Sequence, residues 1–446
     1  MTITSRKSSA SAIVASALLA SLALTACGKE ETSNVNRPDP TEPQTKVEDN
    51  KPVTVSMYIH ASMVDDADLK TYFIEPLKAK LPHVTLDVIR DGKGFQVEEV
   101  LATGTFPDLI VTSNPNIPIF KDRGLVRDIS SLVLSHNIDL NRIDKTLVDA
   151  IKMNSPTGEL YGLPFRQNLG VLIYNQDIFD KFGVPYPTDG MTFEEVVEKA
   201  RKLTRVEGDT NYIGYDPGNV PNNVSTSLSL PFADPKTHKA SFDSDGWRTV
   251  FEFLKTAYEV PNFIGPNKEF KYPNGFQTEK RMAMQSTWVL GVAVAASQNK
   301  YDGMKWDLVA NPNFKGHVGE GREADVHLMM LSKLSKQPDA AIEVMKVLLS
   351  EDVQTAFSKN GRRSVLVDDA IHKQYASGIE QFKGKNIAGI FKTKPIRPHE
   401  VSPYDAKLRA LVEATKQEFA IGGKDLNTYV RDLQEQANKE IEAMRK

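Results

Sequence analysis

An α/β fold is predicted for this chain by three observations. Strand-like segments alternate with helix-like ones in its first folded region, the links between them are short, and 446 residues with 40% hydrophobic content can bury a large core. Domains of ordinary size would number two or three at that length. Charged residues at 25% and aromatics at 8% fit a soluble globular protein.

The elements follow in order. "VTVSMYIH", residues 53 to 60, alternates apolar side chains at strand period. Leu69, Tyr72, Phe73, Leu77 and Leu81 then fall at helical spacing, with Pro76 predicting a kink or early end. "HVTLDVI" reads as a second strand, "FQVEEVLATG" as a short helix and "PDLIVT" as a third strand. Sheets of this kind bind ligands in crevices beyond the carboxyl ends of their strands. His60 and Asn114 lie just past two such ends, which makes both candidate ligand contacts, although Asn114 precedes Pro115 and also suits a turn.

Further along, "LGVLIYN" is an apolar run suited to a strand buried on both faces. Thr192 and Glu195 form a capping-box pair before a helix whose Phe193, Val196, Val197, Ala200 and Leu203 make one face. "GWRTVFEFLKTAY" is amphipathic, and "PDAAIEVMKVLLSEDVQTAFSKNG" reads as one helix from Pro338 to a stop at Gly361. "KWDLVAN" and "DVHLMML" read as strands, and residues from Tyr404 onward as two helices broken at Gly422 and Gly423.

The N-terminus explains the lone cysteine. Arg6 and Lys7 precede the apolar stretch "SAIVASALLASLAL", which is shorter than the ~20 residues a spanning helix needs and reads as an export signal. It ends Leu24, Thr25, Ala26, Cys27, which resembles the bacterial lipobox and implies lipidation of Cys27 after cleavage ahead of it. Residues 27 to 51 are polar, charged and proline-rich, and read as a disordered tether with a reach of ~25 to 30 Å. The formal charge of −3 becomes −5 once residues 1 to 26, with Arg6 and Lys7, are removed. A mildly acidic chain has no bulk attraction for nucleic acid.

The segments "EEVLATGTFPDLIVTSN", "FKDRGLVRDISSLV", "GELYGLPFRQNLGVLIYNQDIFDKFGVPYPTDGMTFEEVVEKARKLT", "RMAMQSTWVLG" and "AAIEVMKVLLSEDVQTAFSKNGRRSV" occur in that order. Together they resemble family 1 of the extracellular solute-binding proteins, the maltose-binding-protein-like receptors of ATP-driven (ABC) importers. The resemblance implies a periplasmic-binding-protein type II fold, with two lobes, each a mostly parallel sheet flanked by helices, and a hinged interlobe cleft. It implies a first lobe of residues 52 to 165 and 328 to 366, and a second of 166 to 327 and 367 to 446. The chain would cross between lobes near Phe165 to Gln167, Asp325 to Leu328 and Val365.

Enzymatic signatures are poor. No Gly-x-Ser-x-Gly elbow, Walker loop or His-Glu-x-x-His occurs, and "GEGREA" precedes a strand rather than opening a helix. Eight histidines lie scattered without ligand spacing, so neither a metal site nor a cofactor is expected. A sugar presents apolar C–H faces and hydroxyl rims, which aromatic platforms beside polar side chains complement. Trp247 and Trp306 sit in core patterns, whereas Trp288 occupies the place where relatives often put a cleft aromatic. Arg166 stands at the first crossing, where it could hold a ligand or an interlobe salt bridge, and Tyr215 and Arg322 lie in apparent loops.

The expectation is therefore a monomeric receptor, anchored by lipid on the outer face of the cell membrane. It would capture an oligosaccharide through Trp288, Arg166, Asn114, His60, Tyr215 and Arg322, and deliver it to ABC permease transmembrane subunits. Peptides, metal chelates and acidic oligosaccharides stay open as ligands. A surface-anchored polysaccharide hydrolase is the rival of another class.

Overall fold

The computed structural model describes residues 51–217, 221–264, 275–420 and 423–445. The export signal, Cys27 and all but the last residue of the tether lie outside the described residues. Among those described, no helix is long and apolar enough to cross a membrane.

Ten strands matter for the site: β1 (Val53–Ile59), β2 (Val84–Arg90), β3 (Leu109–Ser113), β4 (Gly162–Asn168), β5 (Gly170–Asn175), β6 (Met284–Trp288), β7 (Trp306–Ala310), β8 (Glu320–Glu323), β9 (Asp325–Leu331) and β10 (Lys394–Ile396). A five-stranded sheet has the order β2-β1-β3-β9-β4. Its β1 pairs in parallel with β2 and β3, and β9 lies antiparallel to both β3 and β4. A second sheet, β6-β5-β7, is antiparallel throughout.

The α/β class is as expected, but the sheets are less parallel than the expectation of a mostly parallel sheet in each lobe. The reason is physical. A strand buried on both faces, such as β5 with all six residues buried, has the same apolar sequence whichever way its neighbours run. Direction is set by which remote segments dock beside it, and here β6 and β7 arrive from more than 100 residues downstream.

Apolar side chains collect into separate cores. One draws on residues between Val55 and Phe165 and between Ala324 and Ile371. Two others draw on Leu169 through Phe314 and on residues from Tyr375 to Ile441. Trp247 is buried in one of these, its indole N–H donating to Pro231 O at 2.8 Å, and Trp306 in the other, beside Tyr301 and Phe382. The segments that run between the cores lie side by side: Asp325 pairs with Asn168, and Gln167 N–H donates to Arg363 O at 3.0 Å.

Two helices differ from their sequence reading. The segment after β1 contains a wide turn of π type over Leu69–Ile74 before a regular helix at Glu75–Lys80. Pro76 has no N–H to bond back to Tyr72, and the ladder widens around the gap. Residues 338 to 361 form two helices, Pro338–Leu348 and Glu351–Lys359, because Ser350 turns extended at ψ 149°. Its Ser-Glu-Asp sequence is an ordinary helix start, here hidden inside a continuous apolar pattern. Gly361, with φ 73°, takes the left-handed conformation that ends the second helix.

Candidate ligand-binding cleft

A cavity of about 370 Å³ opens between segments that belong to different cores. One wall is built by the loops after β1 and β3, through Ala61 and Ser113 to Asn116. The opposite wall comes from the helix Pro221–Ser225 and its successor loop, Trp288, and the segment from Pro398 to Arg409. Glu323, Ala324 and Asp325, joining β8 to β9, form the floor between them. A second cavity of about 250 Å³ shares Pro115, Asn116, Val401 and Arg409 with the first, so the cleft continues past Arg409.

Trp288 is the last residue of β6 and leads into the helix Val289–Ser297. Its ring lines the cavity, and Arg322 stacks on it with the guanidinium carbon 4.9 Å from the ring centroid. Arg322 does not itself line the cavity; it is 2% exposed, and its Nε donates to Asn311 Oδ1 at 3.2 Å. Burial pushes its pKa down to about 10, which leaves it charged at neutral pH. The cation therefore backs the indole rather than facing the cavity.

Asn114 is at the cavity wall, but its amide is committed. Nδ2 donates to Ala324 O at 3.2 Å, and Oδ1 accepts from Val326 N–H at 2.9 Å, stapling the end of β3 to the start of β9. His60 packs between Tyr58 and Phe120, with Nδ1 3.3 Å from Thr112 Oγ1, and is not part of the wall. Burial lowers its pKa, partly offset by Asp91.

Tyr215 is buried, its hydroxyl 2.7 Å from Ser286 Oγ, and burial raises its pKa. Arg166 is 1% exposed and lies away from both cavities. Its Nη1 meets Asp68 Oδ2 at 3.1 Å and its Nη2 donates to Met63 O at 2.6 Å, while Arg362 Nη2 takes the other oxygen of Asp68 at 2.6 Å. Of the six expected contacts, the structure brings Trp288 and Asn114 to the cavity wall, sets Arg322 behind Trp288, and leaves His60, Tyr215 and Arg166 out of the wall, each engaged by other protein groups.

The wall also contains residues that no sequence pattern singled out. His399 Nδ1 lies 2.6 Å from Glu323 Oε1, and its Nε2 lies 2.9 Å from Asp405 Oδ2. Burial opposes charge on this imidazole, yet the hydrogen bonds to Asp405 and Glu323 raise its pKa to about 10. It is thus an imidazolium at neutral pH and neutralises the cavity carboxylate Glu323. The other wall carboxylate, Asp325, accepts from Asn168 Nδ2 at 3.0 Å. Among the described residues, no group of three or more His, Cys, Asp or Glu is placed to hold a metal ion.

Comparison with known proteins decides the family. The model of the bacterial extracellular solute-binding protein family matches residues 61–355, well over half of the chain. The chain belongs to this family. Solved structures similar to this solute-binding protein include the ABC substrate-binding protein Lmo0181 from Listeria monocytogenes in complex with cycloalternan, at 16% identity and a TM-score of 0.71, over 86% of this chain and 98% of that one. The sugar-binding protein MalE of Xanthomonas citri matches at 16% identity and a TM-score of 0.69, over 88% and 98%. CpMnBP1 with mannotriose bound matches at 18% identity and a TM-score of 0.68, over 86% and 100%. At such identities the likeness establishes that this solute-binding protein shares their fold.

Proposed function

We propose that this solute-binding protein is the lipid-anchored, extracytoplasmic receptor of an ABC importer, capturing an oligosaccharide in its cleft and handing it to the permease subunits. The observation that carries the reading is the cavity face of Trp288, backed by Arg322 and flanked by polar side chains that include Asn116, Asn222 and Thr226. An apolar ring beside hydroxyl-binding groups complements a sugar. The continuation of the cleft past Arg409 suits more than one ring, and the similar structures named above include binders of cycloalternan and mannotriose. Lipidation of Cys27 would hold the receptor, as a monomer, on the outer face of the cell membrane. Ligand binds the open and closed arrangements unequally, and capture shifts the hinge toward the closed one that a permease recognises.

A second reading, an acidic oligosaccharide, is favoured by Arg409. It is exposed on the cleft, stacks on Phe232 at 5.5 Å, and pairs with no carboxylate among the described residues. A hydrolase has less support, because Glu323 is engaged by an imidazolium and Asp325 by an amide.

A melting-temperature screen tests these readings, with maltotriose, mannotriose, cycloalternan, an acidic oligosaccharide, peptides and metal chelates as probes. A ligand at 100 times its Kd stabilises the fold by about 2.7 kcal/mol. The sugar, recovered by mass spectrometry, should be unchanged. A stabilising peptide or chelate without any sugar response would overturn the reading, and a shortened sugar would establish the hydrolase.

A further inference from the structure

Two of the asparagines that line the cavity, Asn114 and Asn222, differ in what their amides do. Asn114 has both amide atoms bonded to the backbone of β9 and the residue before it. Asn222, on the helix Pro221–Ser225, is 6% exposed, yet neither its Nδ2 nor its Oδ1 has a hydrogen-bond partner. Nearby polar side chains are satisfied locally: Ser225 Oγ donates to the backbone oxygen of Asn222 at 3.0 Å, and Thr226 Oγ1 donates to that of Asn223 at 2.8 Å. A buried amide left without partners is costly, and most such groups in folded proteins find one in protein, water or ligand.

We infer that Asn222 is a specificity-determining residue of the cleft, its amide holding two adjacent hydroxyl groups of a neutral sugar. The amide presents an N–H donor and a carbonyl acceptor side by side. A vicinal diol offers the complementary acceptor and donor on neighbouring carbons. Because the amide is uncharged, it gives no advantage to a carboxylate or an ammonium group. Trp288 on the same cavity supplies the apolar face for the ring, and the amide supplies its orientation. This rests on the reading of the cleft as a sugar site, and deepens it by naming the group that recognises the hydroxyls.

The discriminating variant is Asn222→Leu, which keeps the branched shape at a larger volume and removes both polar atoms. For the full chain without sugar, the melting temperature should stay the same or rise, because an unsatisfied amide has gone. Affinity for whichever of maltotriose, mannotriose or cycloalternan binds the natural protein should fall about 10- to 100-fold by calorimetry, the loss of one or two buried hydrogen bonds. Asn222→Ala should weaken binding similarly, and serves if leucine prevents folding.

A drop in melting temperature with normal affinity would make Asn222 a packing residue. Unchanged affinity with a raised melting temperature would make it a water-binding one. Either result overturns the inference while the sugar reading stands. If none of the three sugars binds the natural protein, the sugar reading fails first and the inference with it.

Discussion

Arg322 lies against the face of Trp288, 4.9 Å from guanidinium carbon to ring centroid, and Gly170 makes the arrangement possible. A Cβ at position 170 would stand 2.8 Å from Arg322 Cδ and 2.8 Å from Asn311 Oδ1. The first residue of β5 thus leaves room for a buried cation that supports the cleft aromatic from behind.

Replacing Trp288 by alanine should remove a stacking platform and its buried area together. The expected loss is about 2 to 4 kcal/mol of binding, or roughly 30-fold to nearly 1000-fold in Kd. Stability of the unliganded protein should fall by only about 1 to 2 kcal/mol, the cation–π contact and the part-buried area. Calorimetry and a denaturation curve of the same variant give both quantities, and normal affinity would remove Trp288 from the site.

Gly170→Ala tests the support behind that ring. The new methyl group has to displace Arg322 or Asn311, at about 1 to 3 kcal/mol of stability. Trp288 should lose its orientation, so sugar affinity should weaken although residue 170 is not part of the cavity wall. Unaltered stability and affinity would show that Arg322 relaxes without consequence.

Asp68 is buried between Arg166 and Arg362. Asp68→Asn keeps the shape and deletes the charge, leaving two guanidinium groups facing each other. Breaking a buried pair of this kind costs about 3 to 5 kcal/mol. Urea unfolding at neutral pH measures it, and a loss under about 1 kcal/mol would mean that water reaches the cluster.

His399 should make stability depend on pH. Its folded pKa, about 10, stands above its ordinary value of 6.5. Its contribution is therefore complete below pH 6.5 and is lost as pH rises toward 10. The natural protein should be more stable than His399→Gln at pH 6.5, with the difference shrinking as pH increases to 10. A constant difference in urea midpoint across that range would show that the site holds no extra proton.

Cys27→Ser should release the protein from the membrane fraction without changing its melting temperature, since the polar, proline-rich sequence that follows it has few apolar side chains to bury. Retention of the serine variant after a high-salt wash would rule out lipid anchoring through this residue.

Local periodicity was readable in the chain wherever a short segment carries its own pattern. β1, β2, β3, the Thr192 capping box with both of its hydrogen bonds, and the two C-terminal helices follow from it. The core placement of Trp247 and Trp306 follows as well, because an aromatic inside an amphipathic repeat has one face to bury. Arg166 shows where such reading ends. Its partner Asp68 is 98 residues earlier, and nothing local marks the pair.

The sequence by itself determined the α/β class, the order of its main elements, the family resemblance and the candidacy of Trp288, since all of these reside in segments of a few to some tens of residues. Tertiary structure alone decided strand direction in the second sheet, the place of Arg322 behind Trp288, the unpartnered amide of Asn222 and the charged His399 between Glu323 and Asp405. Each of these is a contact between segments remote in the chain. Hydrogen bonds and charge interactions act over a few ångströms of space, and only the folded chain sets which groups come within that range.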